Sequence, residues 1–368
     1  MRFIPVSLLV AALVVVTPGA ATAAPVSPPL NTAALEAALD DLPDDEASAA
    51  LIQVRGSSGE WSGTAGRISV ESERPPSIDS RFRIGSMTKT FTAAVVLQLA
   101  AEGRLRLDGT VQQYLPGLLP SSYRPITVRH LLTFTSGLNG QELPHKTPEW
   151  FFEHRYDHWA PGSQLDLTKP LAFKPGCRQR YGNIDYIVAG LVIEKVTGHR
   201  WADEVTRRII RPLGLTGTSV PGDDIRIPEP HVHGYEATAE GWRDVTLANP
   251  SLQWSAASMI STADDLDRFL VALFTGRLVP EPQLAEMFTV PAVTDFSTGK
   301  PAVYSAGLTR LDLGGQVLWG KSGDRPGYNN GIGATRDLSR RLAYSVNTLR
   351  MGGDQPARAE RIIMAALS

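Results

Sequence analysis

The chain has 368 residues and a formal net charge of −2. This charge disfavours a nucleic-acid partner, because such a partner needs a basic face and the sequence has no run of basic residues to form one. The length allows one large hydrophobic core or two subdomains. A single cysteine, Cys177, excludes an internal disulfide.

The first residues have the three parts of a secretory signal peptide. Arg2 supplies the positive charge, 3–16 form the apolar segment, and the A-T-A at 21–23 is a cleavage-site pattern. The apolar segment is shorter than the roughly 20 residues of a membrane span. We therefore predict a signal peptide over 1–23 and a secreted mature protein over 24–368, extracellular or associated with the cell wall, without a membrane span. We expect it to be a monomer.

Apolar patterns predict the secondary structure in chain order. Near the start they indicate a helix at about 31–40, two strands, and a helix over 87–101 that ends at Gly103. The helix over 87–101 is apolar nearly all round, which is typical of a central, buried helix. The end of the chain has a helical segment at 255–276, with Ser261-Thr262 before Asp264-Asp265 as a helix start signal, then four strand-like segments and a closing helix at 355–368. The predicted strands lie at 47–56, 60–70, 303–315, 316–324, 331–340 and 341–349.

The middle of the chain combines short helical patterns with long loops rich in Pro, Gly, Trp and His. Strands at both ends and helices in the middle predict an α/β (α+β) fold. We expect an antiparallel β-sheet flanked by N- and C-terminal helices, with an all-helical subdomain inserted between its halves. The sheet subdomain would comprise about 30–104 and 250–368, and the helical subdomain about 105–249.

Ser86 and Lys89 lie one turn apart on the same face at the start of the predicted buried helix. Gly85 permits a tight turn that leaves the serine at the first turn, where unpaired N–H groups and the helix dipole favour an oxyanion. Burial would lower the pKa of the lysine and make it a general base for the serine. The alternative is a helix cap and a lysine that extends to solvent. A second S-x-x-K, at 297–300, lies in a Gly/Pro loop with no fixed facing of its side chains.

Tyr181 and Asn183 lie at the start of a helical pattern at 183–198. In an extended loop their side chains would point the same way. A phenol can pass a proton between nucleophile and leaving group, and an amide can bond to a substrate amide. The alternatives are a packed ring for Tyr181 and a helix N-cap for Asn183. The pattern recurs at 328–330 in a predicted Gly-rich turn, where Asn is ordinary.

Lys321, Ser322 and Gly323 end an apolar run. A lysine on an edge strand usually protects the edge against sheet pairing. Here a cation beside a hydroxyl suits a substrate carboxylate, and the glycine lets a substrate backbone approach closely. The N–H of Asp324 would then be the second oxyanion donor, together with the N–H of Ser86.

The ordered set Ser-x-x-Lys, Tyr-x-Asn and Lys-Ser-Gly resembles the serine β-lactamase and penicillin-binding protein family. The resemblance is to the branch of class C β-lactamases and secreted D-alanyl-D-alanine carboxypeptidases. Segments such as FRIGSMTKTFTAAVVLQLAAEGRLRLDGTVQQYLP, ITVRHLLTFTSGL and FKPGCRQRYGNIDYIVAGLVIEKVTG extend it over about 50–360. The implied roles are acylated nucleophile for Ser86, shared acid and base duty for Lys89 and Tyr181, and substrate positioning for Asn183 and Lys321.

The resemblance implies a secreted serine hydrolase that forms an acyl-enzyme. The leading expectation is a D-alanyl-D-alanine carboxypeptidase that acts on cell-wall peptides ending in D-Ala-D-Ala and is acylated by β-lactams. A class C-like β-lactamase and an esterase or D-aminopeptidase of the same fold stay open, because Lys-Ser-Gly differs from the carboxypeptidase His-Thr-Gly and the β-lactamase Lys-Thr-Gly. Gly182 and Phe134 also replace the family's common serine and histidine. A non-catalytic β-lactam receptor is disfavoured, since the sequence shows neither a membrane span nor a signalling domain.

The sequence predicts neither a metal nor an organic cofactor. His154 and His158 are four residues apart, but the RYD between them lacks the Glu of the zinc H-E-x-x-H pattern. A G-x-S-x-G elbow is absent from the sequence, which disfavours an α/β-hydrolase. No histidine and asparagine pattern marks Cys177 as a nucleophile.

Overall fold

The computed structural model describes residues 28–313, 315–352 and 356–368. The predicted signal peptide over 1–23 lies outside these residues. Within them, none of the helices combines the length and the apolar character that a membrane crossing requires.

The strands in the described residues form one large sheet and three two-stranded pairs. They are β1 (Ala47–Arg55), β2 (Trp61–Gly66), β3 (Phe82–Arg83), β4 (Arg178–Gln179), β5 (Tyr235–Thr238), β6 (Gly241–Asp244), β7 (Ile260–Ser261), β8 (Thr294–Asp295), β9 (Thr309–Leu313), β10 (Gln316–Arg325), β11 (Tyr328–Thr335) and β12 (Arg341–Thr348). The large sheet is antiparallel in the order β2-β1-β12-β11-β10-β9. Strands from both ends of the chain thus form one sheet, as predicted.

The helices lie on both faces of this sheet and in the segment between its two halves. They are α1 (Thr32–Ala37), α2 (Thr88–Ala101), α3 (Val111–Tyr114), α4 (Val128–Leu132), α5 (Pro148–His154), α6 (Ile184–Thr197), α7 (Trp201–Val205), α8 (Arg211–Leu213), α9 (Trp254–Ala257), α10 (Ala263–Phe274) and α11 (Ala357–Leu367). Helices α7 and α8 are continuous through a π-helical turn at Thr206–Ile210.

The sheet is buried on both faces because helices cover each of them. Strand β1 is buried along almost its whole length, which suits its near-continuous apolar sequence. Successive residues of β1 enter different cores: Ile52 packs with α1 and α11, and Leu51 packs on the opposite side with α2 and α10. The terminal helices therefore flank the sheet, in agreement with the predicted fold class.

Helix α2 is the central buried helix that its apolar sequence predicts. All of its residues from Thr88 to Leu97 are buried, although several of them are polar. The ring of Phe91 stacks on that of Phe269 in α10, with centroids 3.8 Å apart and an interplanar angle of 8°. This packing fixes the helix that carries Lys89 against the rest of the core.

The predicted helical segment at 255–276 is interrupted in the structure. The chain forms two helices there, α9 and α10, separated by the short strand β7, which pairs with β3. Thr262 then caps α10, since its side chain accepts a hydrogen bond from the backbone nitrogen of Asp265. The predicted start signal at Ser261-Thr262 is therefore confirmed, and the helix that begins there is separate from α9.

The inserted segment over 105–249 is mostly helices and loops, with two β features in addition. Strands β5 and β6 form a hairpin in which Gly241, the first residue of β6, has a φ of +116°. Strand β4 pairs in parallel with β8. The description of this segment as all-helical therefore needs the hairpin and one short strand added.

Candidate active site

Ser86 lies in a 3-10 turn, Gly85–Met87, that leads directly into α2. Gly85 has a φ of +53°, and a Cβ on it would lie 2.6 Å from the backbone nitrogen of Asp324, so this position requires glycine. Within the described residues, the Ser86 side chain makes no capping hydrogen bond at the start of α2. Its Oγ instead accepts a hydrogen bond from Lys89 Nζ at 2.9 Å.

Lys89 is the second residue of α2 and is fully buried, and its ammonium donates three hydrogen bonds. The acceptors are Ser86 Oγ at 2.9 Å, Asn183 Oδ1 at 2.7 Å and the carbonyl oxygen of Ala256 at 3.1 Å. Burial lowers the pKa of Lys89 to about 8, and the charge of nearby Lys321 acts in the same direction. Lys89 therefore does not extend to solvent, and an appreciable fraction of it is neutral near pH 8.

The Tyr181 ring lies between two lysines and an aromatic cluster. Its centroid is 5.1 Å from Lys89 Nζ and 4.7 Å from Lys321 Nζ. On the other side the ring packs on Phe134 and Tyr304, with centroid distances of 4.8 and 4.9 Å. The packed ring and the ring placed in the site, which the sequence left as alternatives, are therefore both present.

Asn183 occupies the residue before α6, but its side chain makes no capping hydrogen bond within the described residues. Its Oδ1 accepts the hydrogen bond from Lys89. Its Nδ2 has no partner in the described part of the chain and lies at the wall of the cavity in front of Ser86. The helix-cap alternative is therefore wrong, and the Nδ2 is left to donate to a ligand.

Lys321 lies on β10 with its side chain turned inward, so it does not protect a sheet edge. It is buried, and its Nζ donates to the carbonyl oxygen of Ser322 at 3.1 Å. Burial lowers the pKa of Lys321 to about 7. In the described part of the chain, β10 pairs with β9 only as far as Gly320, which leaves the edge from Lys321 to Arg325 open.

Gly323 brings β10 against the turn that carries the serine. A Cβ on Gly323 would lie 1.9 Å from the carbonyl oxygen of Ile84 and 3.2 Å from the backbone nitrogen of Ser86. Only glycine permits so close an approach. The backbone nitrogens of Ser86 and Asp324 therefore lie near one another, in the place where the sequence predicts two oxyanion donors.

A cavity of about 220 Å³ lies in front of Ser86 and collects the residues of all three motifs. Its walls include Tyr181, Asn183, Lys321 and Ser322. The remaining wall combines four aromatic residues, Trp150, Phe151, Trp159 and Tyr304, with polar and charged residues such as Lys146, Arg155 and Arg325. The structure therefore brings together in one site every side chain that the sequence motifs single out.

Asp185 is a buried carboxyl group that the sequence motifs do not include. It lies on α6 and is 3% exposed, and its Oδ1 has no hydrogen-bond partner in the described residues. Burial raises the pKa of Asp185 to about 7, against the opposing effects of the Ser136 hydroxyl and the charges of Arg180 and Lys89. A charged residue inside the otherwise apolar helical pattern after Asn183 was the signal that could have revealed it.

Two further features of the site differ in whether the local sequence could have revealed them. Lys146 pairs with Asp324 across the cavity at 2.9 Å, which joins the loop before α5 to the end of β10. This contact has no local signal, because the two residues are far apart in the chain. Arg325 lines the cavity at the end of β10. Its spacing from Lys321 and Gly323 could have revealed this position, because alternate residues of a strand share a face.

The repeated motifs lie elsewhere and have structural roles. The S-x-x-K at 297–300 is in an exposed turn, where Asp295 Oδ1 accepts hydrogen bonds from the Thr298 backbone nitrogen and hydroxyl. Tyr328 and Asn330 lie in β11, not in the predicted turn, because the strand pairs with neighbours on both sides. The Tyr328 hydroxyl and Asn330 Nδ2 both donate to backbone carbonyls.

The histidines considered for zinc bind separate carboxylates. His154 Nδ1 lies 2.8 Å from Asp157 Oδ2, and His158 Nδ1 lies 2.8 Å from Asp223 Oδ1. Across the described ranges, no three or more His, Cys, Asp or Glu side chains converge as a metal site would require. Cys177 is a free, exposed thiol.

Solved structures similar to this chain include two hydrolases. A D-stereospecific amidohydrolase from Streptomyces sp. is 37% identical, with a TM-score of 0.79 over 91% of this chain and 98% of that one. The D-amino acid amidase from Ochrobactrum anthropi SV3, in complex with D-phenylalanine, is 25% identical, with a TM-score of 0.77 over the same shares.

Curated relatives match over shorter segments. Esterase EstB from Burkholderia gladioli is 30% identical over 245 residues, which is 55% of this chain and 59% of the esterase. Penicillin-binding protein 4* from Bacillus subtilis is 31% identical over 165 residues, which is 42% of this chain and 34% of that protein. The chain thus matches less than two thirds of the length of either protein. The family model described as Beta-lactamase matches residues 35–367, and the chain therefore belongs to this family of β-lactamase and transpeptidase-like serine hydrolases.

Proposed function

We propose that this protein is a D-stereospecific serine amidohydrolase that cleaves an amide bond on the carboxyl side of a D-configured residue through an acyl-enzyme. The observation that carries the proposal is the 2.9 Å hydrogen bond between Lys89 Nζ and Ser86 Oγ, with the lysine fully buried. A serine hydroxyl is a weak nucleophile unless an adjacent base removes its proton. A lysine with a pKa lowered to about 8 is such a base.

The first half of the reaction is acyl transfer to the enzyme. Ser86 Oγ attacks the substrate carbonyl carbon while its proton passes to the basic pair, Lys89 and Tyr181. The carbonyl oxygen becomes an oxyanion that the N–H groups of Ser86 and Asp324 stabilise. The intermediate then collapses, the carbon–nitrogen bond breaks, and the leaving amine takes the proton from the same pair.

The second half is hydrolysis. Water attacks the ester carbonyl, gives one proton to the basic pair and forms a second oxyanion in the same place. Collapse breaks the bond to Ser86 Oγ, the proton returns to that oxygen, and the product leaves as a carboxylic acid. Asn183 Nδ2, which has no partner in the described residues, would hold the acyl-side carbonyl of the substrate in both halves.

Two observations support a substrate whose acyl-side residue has the D-configuration and a large apolar side chain. Two of the structural neighbours with high coverage are named D-stereospecific amidohydrolase and D-amino acid amidase, and the second is described in complex with D-phenylalanine. Aromatic residues line part of the cavity, with the rings of Trp150 and Trp159 at a centroid distance of 6.0 Å. This part of the wall suits a large apolar side chain.

A D-alanyl-D-alanine carboxypeptidase is the second candidate. It is favoured by Lys321 and Ser322, which lie where the carboxylate of a leaving D-alanine would need a cation and a hydroxyl. Penicillin-binding proteins among the relatives support it as well. The same acyl-enzyme chemistry serves both candidates, so they differ only in the group on each side of the scissile bond.

A panel of substrates tests the proposal. We expect N-acetyl-D-phenylalanine p-nitroanilide to be cleaved with a kcat/KM at least about 100-fold above that of its L-enantiomer. Diacetyl-L-lysyl-D-alanyl-D-alanine, benzylpenicillin and p-nitrophenyl butyrate complete the panel, and Ser86→Ala is the blank. Equal rates for the two enantiomers, or cleavage of the butyrate ester alone, would contradict D-stereospecific amide hydrolysis.

The other members of the panel distinguish the remaining activities. Fast release of D-alanine together with a lasting benzylpenicillin adduct on Ser86 would identify the carboxypeptidase. Rapid turnover of benzylpenicillin without an adduct would identify a β-lactamase. Activity that survives in Ser86→Ala would rule out every form of the proposal.

A further inference from the structure

Arg325 is a buried cation at the wall of the cavity that none of the proposed steps uses. It is the last residue of β10, and it lies on the same face as Lys321 and Gly323 because alternate strand residues share a face. The residue is 7% exposed and lines the same cavity as Ser86. Most of the residue is therefore buried, at a point that a bound substrate can reach.

Among the described residues, Arg325 has no hydrogen-bond or ion-pair partner. The neighbouring cations each have partners. Arg83 donates to three backbone carbonyls, Arg155 donates to the carbonyl oxygen of Asp244, and Lys146 pairs with Asp324. Asp324, the carboxylate next to Arg325 in the chain, is thus already paired with Lys146.

Burial of an unpaired guanidinium is unfavourable, since a buried charge is normally paired or hydrogen bonded. Burial and the charge of Arg83 lower the pKa of Arg325 to about 10, so the side chain stays protonated at neutral pH. Arginine presents a planar fork of N–H donors that matches a carboxylate in bidentate geometry. A ligand carboxylate would supply the partner that the described residues do not.

The position of Arg325 on β10 indicates which part of the substrate it meets. The open edge runs from Lys321, beside Tyr181, to Arg325, and the rise of about 3.3 Å per residue separates these two by about 13 Å. The proposed oxyanion donor, the N–H of Asp324, lies between them. Because the leaving amine must take its proton beside Tyr181, the leaving group lies toward Lys321. The acyl side therefore extends past Asp324 toward Arg325.

We propose that Arg325 forms an anion subsite that binds a carboxylate on the acyl side of the substrate. The preferred substrates are then amides of D-residues whose amino-terminal substituent carries a carboxylate, such as an acidic residue or a dicarboxylic acyl cap. A free ammonium at this position is disfavoured by the guanidinium. This inference rests on the proposed D-stereospecific amidohydrolase and defines its substrate class.

A matched pair of substrates tests the subsite. N-succinyl-D-phenylalanine p-nitroanilide has a terminal carboxylate, and its N-succinamoyl analogue has a neutral amide of nearly the same size. In the full chain we expect kcat/KM to be about tenfold or more higher for the succinyl substrate, as for one charge-assisted hydrogen-bonded pair. In Arg325→Gln the two substrates should differ by less than about twofold, because the side chain no longer carries a charge.

Two further variants separate the charge from the fold. Arg325→Lys retains the cation and should keep part of the preference for the carboxylate. Arg310→Gln removes an exposed arginine on β9, outside the cavity, and should keep the whole preference. If Arg325→Gln unfolds, as measured by its melting temperature, the comparison of wild type with Arg325→Lys still reports the subsite.

The outcomes separate this inference from the proposed function. Equal kcat/KM for the two substrates in the wild type, or a preference that persists in Arg325→Gln, overturns the subsite and leaves D-stereospecific hydrolysis standing. Lack of cleavage of both substrates and of the N-acetyl substrate contradicts the proposed function, and the subsite falls with it.

Discussion

The Nζ of Lys89 donates a hydrogen bond to the Oγ of Ser86 at 2.9 Å, and the lysine has no exposed surface. The two residues are one turn apart, so the start of α2 alone fixes their relative position. Burial lowers the pKa of the lysine, and the tight turn at Gly85 places the serine at the wall of the cavity. These two effects together make a nucleophile and its base.

Removal of either member of this pair should abolish turnover. We expect Ser86→Ala and Lys89→Met each to lower kcat by about 1000-fold or more, since the nucleophile and its base act as a unit. The matched controls are Ser297→Ala and Lys300→Met in the repeated S-x-x-K of the exposed turn. Steady-state kinetics with the D-phenylalanine anilide would contradict the assignment if the control variants lost activity and the Ser86 variant did not.

The pH profile should show the titration of the buried base. Below a pKa of about 8 Lys89 carries its proton and cannot accept one from Ser86, whereas above it the neutral amine can. We therefore expect kcat/KM to rise with pH through about 8 and then to level off. A rate independent of pH across this region would contradict a lysine base.

Asp185→Asn should move the rise of kcat/KM to lower pH. Above a pKa of about 7 the Asp185 carboxylate is negative, and its charge raises the pKa of Lys89. Its removal lets the lysine lose its proton at lower pH, so the acidic limb of kcat/KM shifts to lower pH. A purely structural role for Asp185 predicts lower kcat with an unmoved limb, and the pH profile of the variant separates the two.

Two glycines of the motifs should respond differently to alanine. Gly323→Ala places a methyl group 1.9 Å from the carbonyl oxygen of Ile84, which must push β10 away from Ser86. We expect a loss of about 100-fold or more in kcat, together with a destabilisation of about 1–3 kcal/mol. At Gly182, in contrast, a methyl group would meet no atom of the described residues within 4 Å, so Gly182→Ala is the control and should keep kcat. Similar losses in both variants would argue against the close approach of β10 as the cause.

Much of this site can be predicted from local sequence, because spacing along one helix or strand fixes which side chains share a face. The helical spacing of Ser86 and Lys89, and the strand alternation of Lys321 and Gly323, are of this kind. The apolar character of α2 likewise predicts a buried helix around Lys89, and the structure confirms it.

Contacts between distant segments could not be read in the same way. The packing of Tyr181 on Phe134 and Tyr304 joins three separate loops, and no local periodicity encodes it. The break at β7 is similar, because Ile260 and Ser261 leave the helical pattern only to pair with β3. Tertiary pairing overrides local propensity at such positions.

The central claim, that Ser86 is acylated during turnover, has one direct test. The enzyme is mixed with N-acetyl-D-phenylalanine p-nitrophenyl ester, quenched with acid during turnover, digested and mapped by mass spectrometry. We predict an acetyl-D-phenylalanyl group on the peptide that contains Ser86, and its absence from Ser86→Ala. An unmodified Ser86 peptide together with full turnover by Ser86→Ala would contradict this claim.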